Sequence, residues 1–202
     1  MNVATVGGVP VPMDEVDARE ARLRDGPLAA ALPAAGTSEG RQLRRWLTQL
    51  IVAERVIAAE AAALGVTARN APSEAELLPD TTARLEIGSI AAGALAEPSA
   101  RAVFARVTAA VDVSDDDVAC YHARNPLRFA ATSPDRHGWR GPAVAAPPLY
   151  QVRAAIADHL RAAARRRAFR VWLDERRADL VRLAPGYEHP GDPRQPDNTH
   201  RH

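Results

Sequence analysis

Three of the six histidines in this 202-residue chain, His189, His200 and His202, fall within its last fourteen residues. Imidazole is the commonest side-chain ligand for zinc, copper and iron. His200 and His202 alternate, so an extended strand would turn both to one side. Glu188, Asp192, Asp197 and the terminal carboxylate could complete a copper, iron or zinc site there. A competing reading makes this stretch a polar tail that caps the last helix, and a third docks it back into a groove of the protein. Cys120 and His122 form a second candidate ligand pair. Residues two apart on a helix do not face each other, so a shared metal would need the helix to fray near Asn125-Pro126. Otherwise Cys120 reads as a small buried hydrophobe. A joint site, Cys120 or His122 with the tail histidines, requires the tail to fold over that helix.

Asp115, Asp116 and Asp117 resemble a hard-cation patch, but acids at a helix start are already explained by the macrodipole and free N–H groups. Arg161, Arg165, Arg166, Arg167 and Arg170 spread over more than one helix face, and pairing with acids such as Asp174 or Glu175 is expected. A phosphate-bearing partner fits them less well than a solvated face does. His137 and Trp139 fall in a Pro/Gly-rich stretch where an aromatic loop could cover a ligand. The sequence holds no Gly-x-Ser-x-Gly elbow, no Gly-x-Gly-x-x-Gly after a strand and no His-Glu-x-x-His. Elbow-type hydrolases, Rossmann enzymes and zincins are therefore disfavoured. All 26 basic residues are arginine. Without lysine, Schiff-base chemistry, pyridoxal-phosphate anchoring and a Walker-type phosphate lysine are excluded.

The elements that must position these groups are mostly helical. Val3 to Val11 reads as a short extended segment with a Gly-Gly turn. Asp14 is placed to cap a helix over Glu15 to Arg24. An Ala/Pro/Gly loop over 25–37 leads to the clearest helix, opened by Thr37 or Ser38, running to about Leu64 and stopped by Gly65. Its apolar residues recur at three- and four-residue steps. Residues 66–80 read as a polar connector. A weaker helix follows over Thr81 to Leu95, interrupted by Gly88 and Gly93. Pro98 starts another helix through Val111. Ser114 with Asp117 makes a capping box for a helix to about Arg124. Residues 130–148 are a proline-studded linker, Leu149 to Leu183 is one curved or two consecutive helices, and 184–202 is a polar tail.

Composition sets further bounds. The length suits one domain, and 47% hydrophobic residues suffice for a core although aromatics are only 4%. A net charge of +1 gives no drive toward nucleic acid or membrane surfaces. A single cysteine excludes an internal disulfide. No signal peptide and no membrane-spanning run is legible, so a cytoplasmic location is expected.

Several stretches resemble one family. The V-x-G strand, hydrophobic-Pro step and acidic helix start near the N-terminus, the pattern E-R-V-I-A-A-E-A-A-A-L-G-V-T over 54–67, and the segments Val113–Phe129 and Leu149–Leu173 are similar to SurA/PrsA-type foldases. The last two look like the flanks of the parvulin prolyl isomerase domain. Here only about twenty linker residues join them, and 67–111 matches no family element. The resemblance implies a SurA N-terminal-like chaperone domain without its isomerase, in which N-terminal helices and a returning C-terminal helix cradle an extended client. It also extends to parvulin-less actinobacterial proteins near natural-product genes, which implies a biosynthetic setting.

The expected fold is thus an all-α single domain with one short extended segment, the helix at 38–64 packing on that at 149–183, and 99–110 and 115–124 completing the core. Trp46, Phe104, Tyr121, Phe129, Phe169 and Trp172 are candidates for core or groove, with Trp46, Phe104, Tyr121, Phe129 and Trp172 expected to line a ligand-binding groove. The leading functional expectation is a binder of a peptide, partner protein or small hydrophobic ligand, with neither nucleic acid nor membrane as partner. The alternative is a small metal-dependent enzyme using copper, iron or zinc on His189, His200, His202, Cys120 and His122. A subunit that stabilises another enzyme is a third reading.

Overall fold

The computed structural model describes residues 1–27, 29–130 and 146–189. The chain opens with a hairpin, β1 (Asn2–Val6) and β2 (Val9–Pro12). Val6 and Val9 pair across a two-residue turn made by Gly7 (φ 55°) and Gly8 (φ 82°). Both central residues need positive φ for a turn whose twist matches the strands, and Gly-Gly supplies it without steric cost. Helix α1 (Met13–Arg24) follows directly. Its N-cap is Pro12 with no side-chain capping bond, rather than the expected Asp14. Asp14 and Glu15 sit in the first turn, where they act through the helix dipole.

Helix α2 (Ser38–Ala63) is the spine of the fold. Thr37 caps it by accepting from the Gly40 amide at 3.1 Å. Its far end closes with Val66 N–H to Ala61 C=O at 2.9 Å and Gly65 N–H to Ala62 C=O at 3.2 Å, the paired bonds of a Schellman stop. The connector at 66–80, expected to be irregular, contains the short helix α3 (Glu74–Leu77), closed by a capping box between Ser73 and Glu76. The weak helix expected over 81–95 is two helices, α4 (Thr81–Ile87) and α5 (Ser89–Ala94). Gly88 breaks it with φ 87° and ψ 151°, a conformation no helix contains. Gly93 instead stays inside α5, where a Cβ would come within 3.0 Å of Leu50 on α2. Helix α6 (Pro98–Val107) stops four residues before the expected end, at Thr108. Helix α7 (Asp115–Arg124) begins at the anticipated Ser114–Asp117 capping box. Residues 131–145 of the linker lie outside the described residues.

Helix α8 (Leu149–Leu180) is unbroken over 32 residues, about 48 Å at 1.5 Å per residue. It ends three residues before the expected Leu183 because Val181 turns extended and β3 (Val181–Leu183) joins the open edge of β1. The sheet order is β2-β1-β3, all antiparallel, and Thr5 faces Arg182. Bonds from Gly7 N–H to Leu180 C=O at 2.8 Å and from Ala184 N–H to Val3 C=O at 2.9 Å flank this pairing. The fold is mainly helical, as expected, and the N-terminal extended segment and β3 add a small three-stranded sheet. A short strand whose partner, β1, lies at the far end of the sequence has no local periodicity to betray it.

The main core gathers the inner faces of the sheet (Val3, Val6, Val11), α2 (Leu47, Ile51, Val56, Ile57), α5 and α6, and the second half of α8. Phe104 of α6 meets Phe169 of α8 at 5.1 Å, and Phe169 stacks on Trp172 at 5.4 Å. α8 packs against α2, as expected. α7, however, packs chiefly on α8 and forms a smaller cluster of Val118, Val152 and Ile156 instead of completing the main core. No helix among the described residues is long and apolar enough to cross a membrane.

Candidate functional site

Between α7 and α8 lies an open cleft of ≈ 380 Å³. Val113, Tyr121, Leu160 and Ala164 supply its apolar surface, and Asp112, Asp117, Arg124, Asn125 and Arg167 its polar groups. Cys120 is on the same wall and is exposed, so the expectation of a buried small hydrophobe is corrected. The capping box fixes the start of α7: the Asp117 amide donates to Ser114 Oγ at 3.1 Å, and the Ser114 hydroxyl donates to Asp117 Oδ2 at 2.6 Å. The Ser114 hydroxyl, together with the Ser114 amide that donates to the same oxygen at 3.2 Å, holds the Asp117 carboxyl below its usual range. The Val113 amide, helped by Arg161, does the same for Asp112. Both acids are therefore charged at neutral pH. At the other end, Asn125 Nδ2 donates to Tyr121 C=O at 3.0 Å and closes the helix before Pro126.

Tyr121 is held by an aromatic trio. Its hydroxyl lies 3.3 Å from His159 Nε2, the rings are 5.5 Å apart, and Phe129 stands 5.8 Å from His159. The next residue, His122, also ties α7, with its Nε2 2.8 Å from the Pro147 carbonyl oxygen. A carbonyl only accepts, so Nε2 carries the proton and leaves Nδ1 as the sole lone pair of a neutral ring. His122 thereby straps the start of α8 to α7.

The five aromatic residues expected to share a groove are divided. Trp46, Phe104 and Trp172 belong to the main core, and Phe104 is 2% exposed. Trp46 Nε1–H donates to Ser89 Oγ at 3.2 Å. Tyr121 and Phe129 pack on the smaller cluster, and Tyr121 lines the cleft. The candidate metal ligands are also separated. Cys120 faces the cleft, His122 bonds Pro147, and His189 lines a different cavity against α5 and α8. His200 and His202 lie outside the described residues, as do Asp192, Asp197, His137 and Trp139. Among the described residues no group of three or more His, Cys, Asp or Glu side chains is placed to hold a metal. Of the arginine cluster, Arg161 pairs with Asp112 and Asp158, Arg166 with Glu86, and Arg165 donates to Thr108 Oγ1. None of these uses the anticipated Asp174 or Glu175.

His159 went unnoticed in the sequence, although its place three residues after Ile156 puts it on the face turned to α7. A second unanticipated site is a cavity of ≈ 290 Å³ between α2 and the α5–α6 corner, bordered by Glu15, Glu54 and Glu97 over Ile51 and Ile57. Burial pushes the Glu54 carboxyl above its usual value despite a 2.5 Å contact with Arg19, and the charges of Glu97 and Glu15 push the same way.

A family of unknown function (DUF7158) matches residues 2–39, which span the hairpin, α1 and the first residues of α2. No curated protein and no solved structure gives a match.

Proposed function

We propose that this chain is a chaperone-like or accessory binding protein that holds an extended segment of a partner in the cleft between α7 and α8, without prolyl isomerase activity. The observation that carries the reading is the composition of that cleft: apolar surface from Val113, Tyr121, Leu160 and Ala164, ringed by five charged or amide groups. Peptide-binding sites combine apolar area for affinity with a few polar anchors for the main chain. A volume of ≈ 380 Å³ suits a short stretch of peptide. The return of α8 onto α2 and of β3 onto β1 adds support, because both flanks of residues 131–145 then belong to one unit. A SurA/PrsA-type module without its isomerase would be built this way. This step is analogy from architecture, and the cleft carries the functional argument.

The sole cysteine makes the test direct. A fluorescently labelled, permanently unfolded polypeptide is titrated with the protein in the presence of EDTA, and anisotropy is read. A saturable rise is expected. Capping Cys120 with a bulky maleimide, or the surface substitution Arg167→Glu, should weaken it about tenfold or more. Binding indifferent to both changes, or no binding, would sink the proposal.

A further inference from the structure

Further along α8, the break between α4 and α5 and the second half of α8 border a cavity of ≈ 170 Å³. Arg170, Asp174 and Arg177 form one wall, Ser89 faces them, His189 stands at the rim, and Ile87, Ile90 and Leu173 supply apolar surface. Arg170 and Arg177 are seven residues apart, two turns along one face. Both are bound only to neutral oxygens among the described residues: Arg170 donates to the Glu86 carbonyl at 3.2 Å, and Arg177 to the side chain of Gln49. Arg177 Nε is buried without a hydrogen-bond partner. Arg19, Arg44 and the buried Arg166 each meet a carboxylate, whereas Arg101 and Arg165, like Arg170 and Arg177, bond to neutral oxygens. Ser89 Oγ accepts from Trp46, which leaves its own O–H free to donate.

We infer that this cavity binds the carboxylate of a small apolar acid or of a peptide C-terminus, gripped by Arg170, Arg177 and Ser89. A guanidinium presents a planar fork of donors that matches a carboxylate, and a partly desolvated one lacking a counter-ion gains most from it. Asp174 faces the same space, so a doubly charged phosphate meets more repulsion than a monoanion. The Ile87, Ile90 and Leu173 surface takes a short aliphatic group. Burial disfavours the charged form of Arg177, partly offset by Asp174, which agrees with a cation short of counter-charge. The inference stands apart from the peptide cleft.

The test is calorimetry on the full chain with 3-methylbutanoate, its uncharged amide, inorganic phosphate and an acetylated dipeptide ending in leucine. At least one of the two carboxylates should bind saturably, and the stronger names the source. The amide and phosphate should bind at least about tenfold more weakly. Arg170→Gln, at an exposed position, should lower carboxylate affinity by about tenfold or more, and Asp174→Asn should raise it. Amide binding equal to acid, phosphate binding tighter than acid, or wild-type affinity in Arg170→Gln would each overturn the assignment. Arg177→Gln is read alongside a thermal melt, and its loss counts only if the melting temperature is retained.

Discussion

Arg166 on α8 grips Glu86 on α4 with two nitrogens, Nε at 2.9 Å and a terminal nitrogen at 2.8 Å, both on Oε2. A third donor reaches the Leu77 carbonyl at 3.3 Å. Arg166 is 6% exposed, whereas the Glu86 side chain is 32% exposed. One side chain therefore fastens both α3 and α4 to the long helix. Removing it strands a partly hydrated carboxylate and a carbonyl, so Arg166→Ala should cost about 2–3 kcal/mol, below the range for a fully buried pair. Arg166→Met keeps the stem and should cost less. Urea melts of both variants check this, and an unchanged midpoint for Arg166→Ala would refute it.

The two apolar clusters should differ in stability. The smaller one has three buried side chains, Val118, Val152 and Ile156, against the much larger set around α2. Local opening follows the amount of buried apolar contact. Amides of α7 and of residues 149–160 should exchange with deuterium at least about tenfold faster than those of 47–57 on α2. Equal protection would mean that the chain opens as one cooperative block.

What could be read in advance follows physical range. The Gly-Gly hairpin, the Ser114 cap, the Gly65 stop and the α2 stripe rest on neighbours within a few residues, and all were legible. β3 was hidden because its reason for being extended is the free edge of β1, far away in sequence. The split of α4 from α5 was half legible: Gly88 and Gly93 look alike in sequence, yet one sits at φ 87° and the other is helical and close against Leu50. Grouping the aromatics into one groove failed for a related reason. The helical period assigns Tyr121 and Trp172 to apolar faces but not to a common one, and α7 packs chiefly on α8.

Two glutamates should pull stability in opposite directions with pH. Burial raises the Glu20 carboxyl, but hydrogen bonds from Arg24 and Arg44 outweigh it and hold it below the ordinary 4.5. Its contribution is therefore complete above about pH 4.5 and is lost as pH falls through the lowered folded value. Glu54 is raised in the fold, mainly by burial, so its charge costs stability at neutral pH and the cost fades as pH falls toward 4.5. Chemical denaturation of Glu20→Gln and Glu54→Gln from pH 7 down to about pH 2.5 should show it. Glu20→Gln should be destabilised at pH 7, with a gap to wild type that narrows on acidification. Glu54→Gln should equal or exceed wild type at pH 7 and lose that advantage in acid. A gap independent of pH in either variant would exclude the corresponding shift.

Gly88 and Gly93 allow backbone strain to be separated from packing. At Gly88 a new Cβ would meet nothing within 4 Å, but φ 87° with ψ 151° is a region only glycine enters readily. Gly88→Ala should therefore cost about 1–3 kcal/mol purely through the backbone. At Gly93 the backbone is helical, and alanine gains about 1 kcal/mol of helix propensity. Against that, its Cβ would press on Leu50 Cδ1 at 3.0 Å. The two effects nearly cancel, so Gly93→Ala should change stability little. Shortening the neighbour exposes the difference. In double-mutant cycles with Leu50→Ala, Gly93→Ala should couple favourably, because the methyl refills the space, while Gly88→Ala should be additive. Coupling at Gly88 of the size seen at Gly93 would show that the break between α4 and α5 is set by side-chain packing and not by the glycine's dihedral angles.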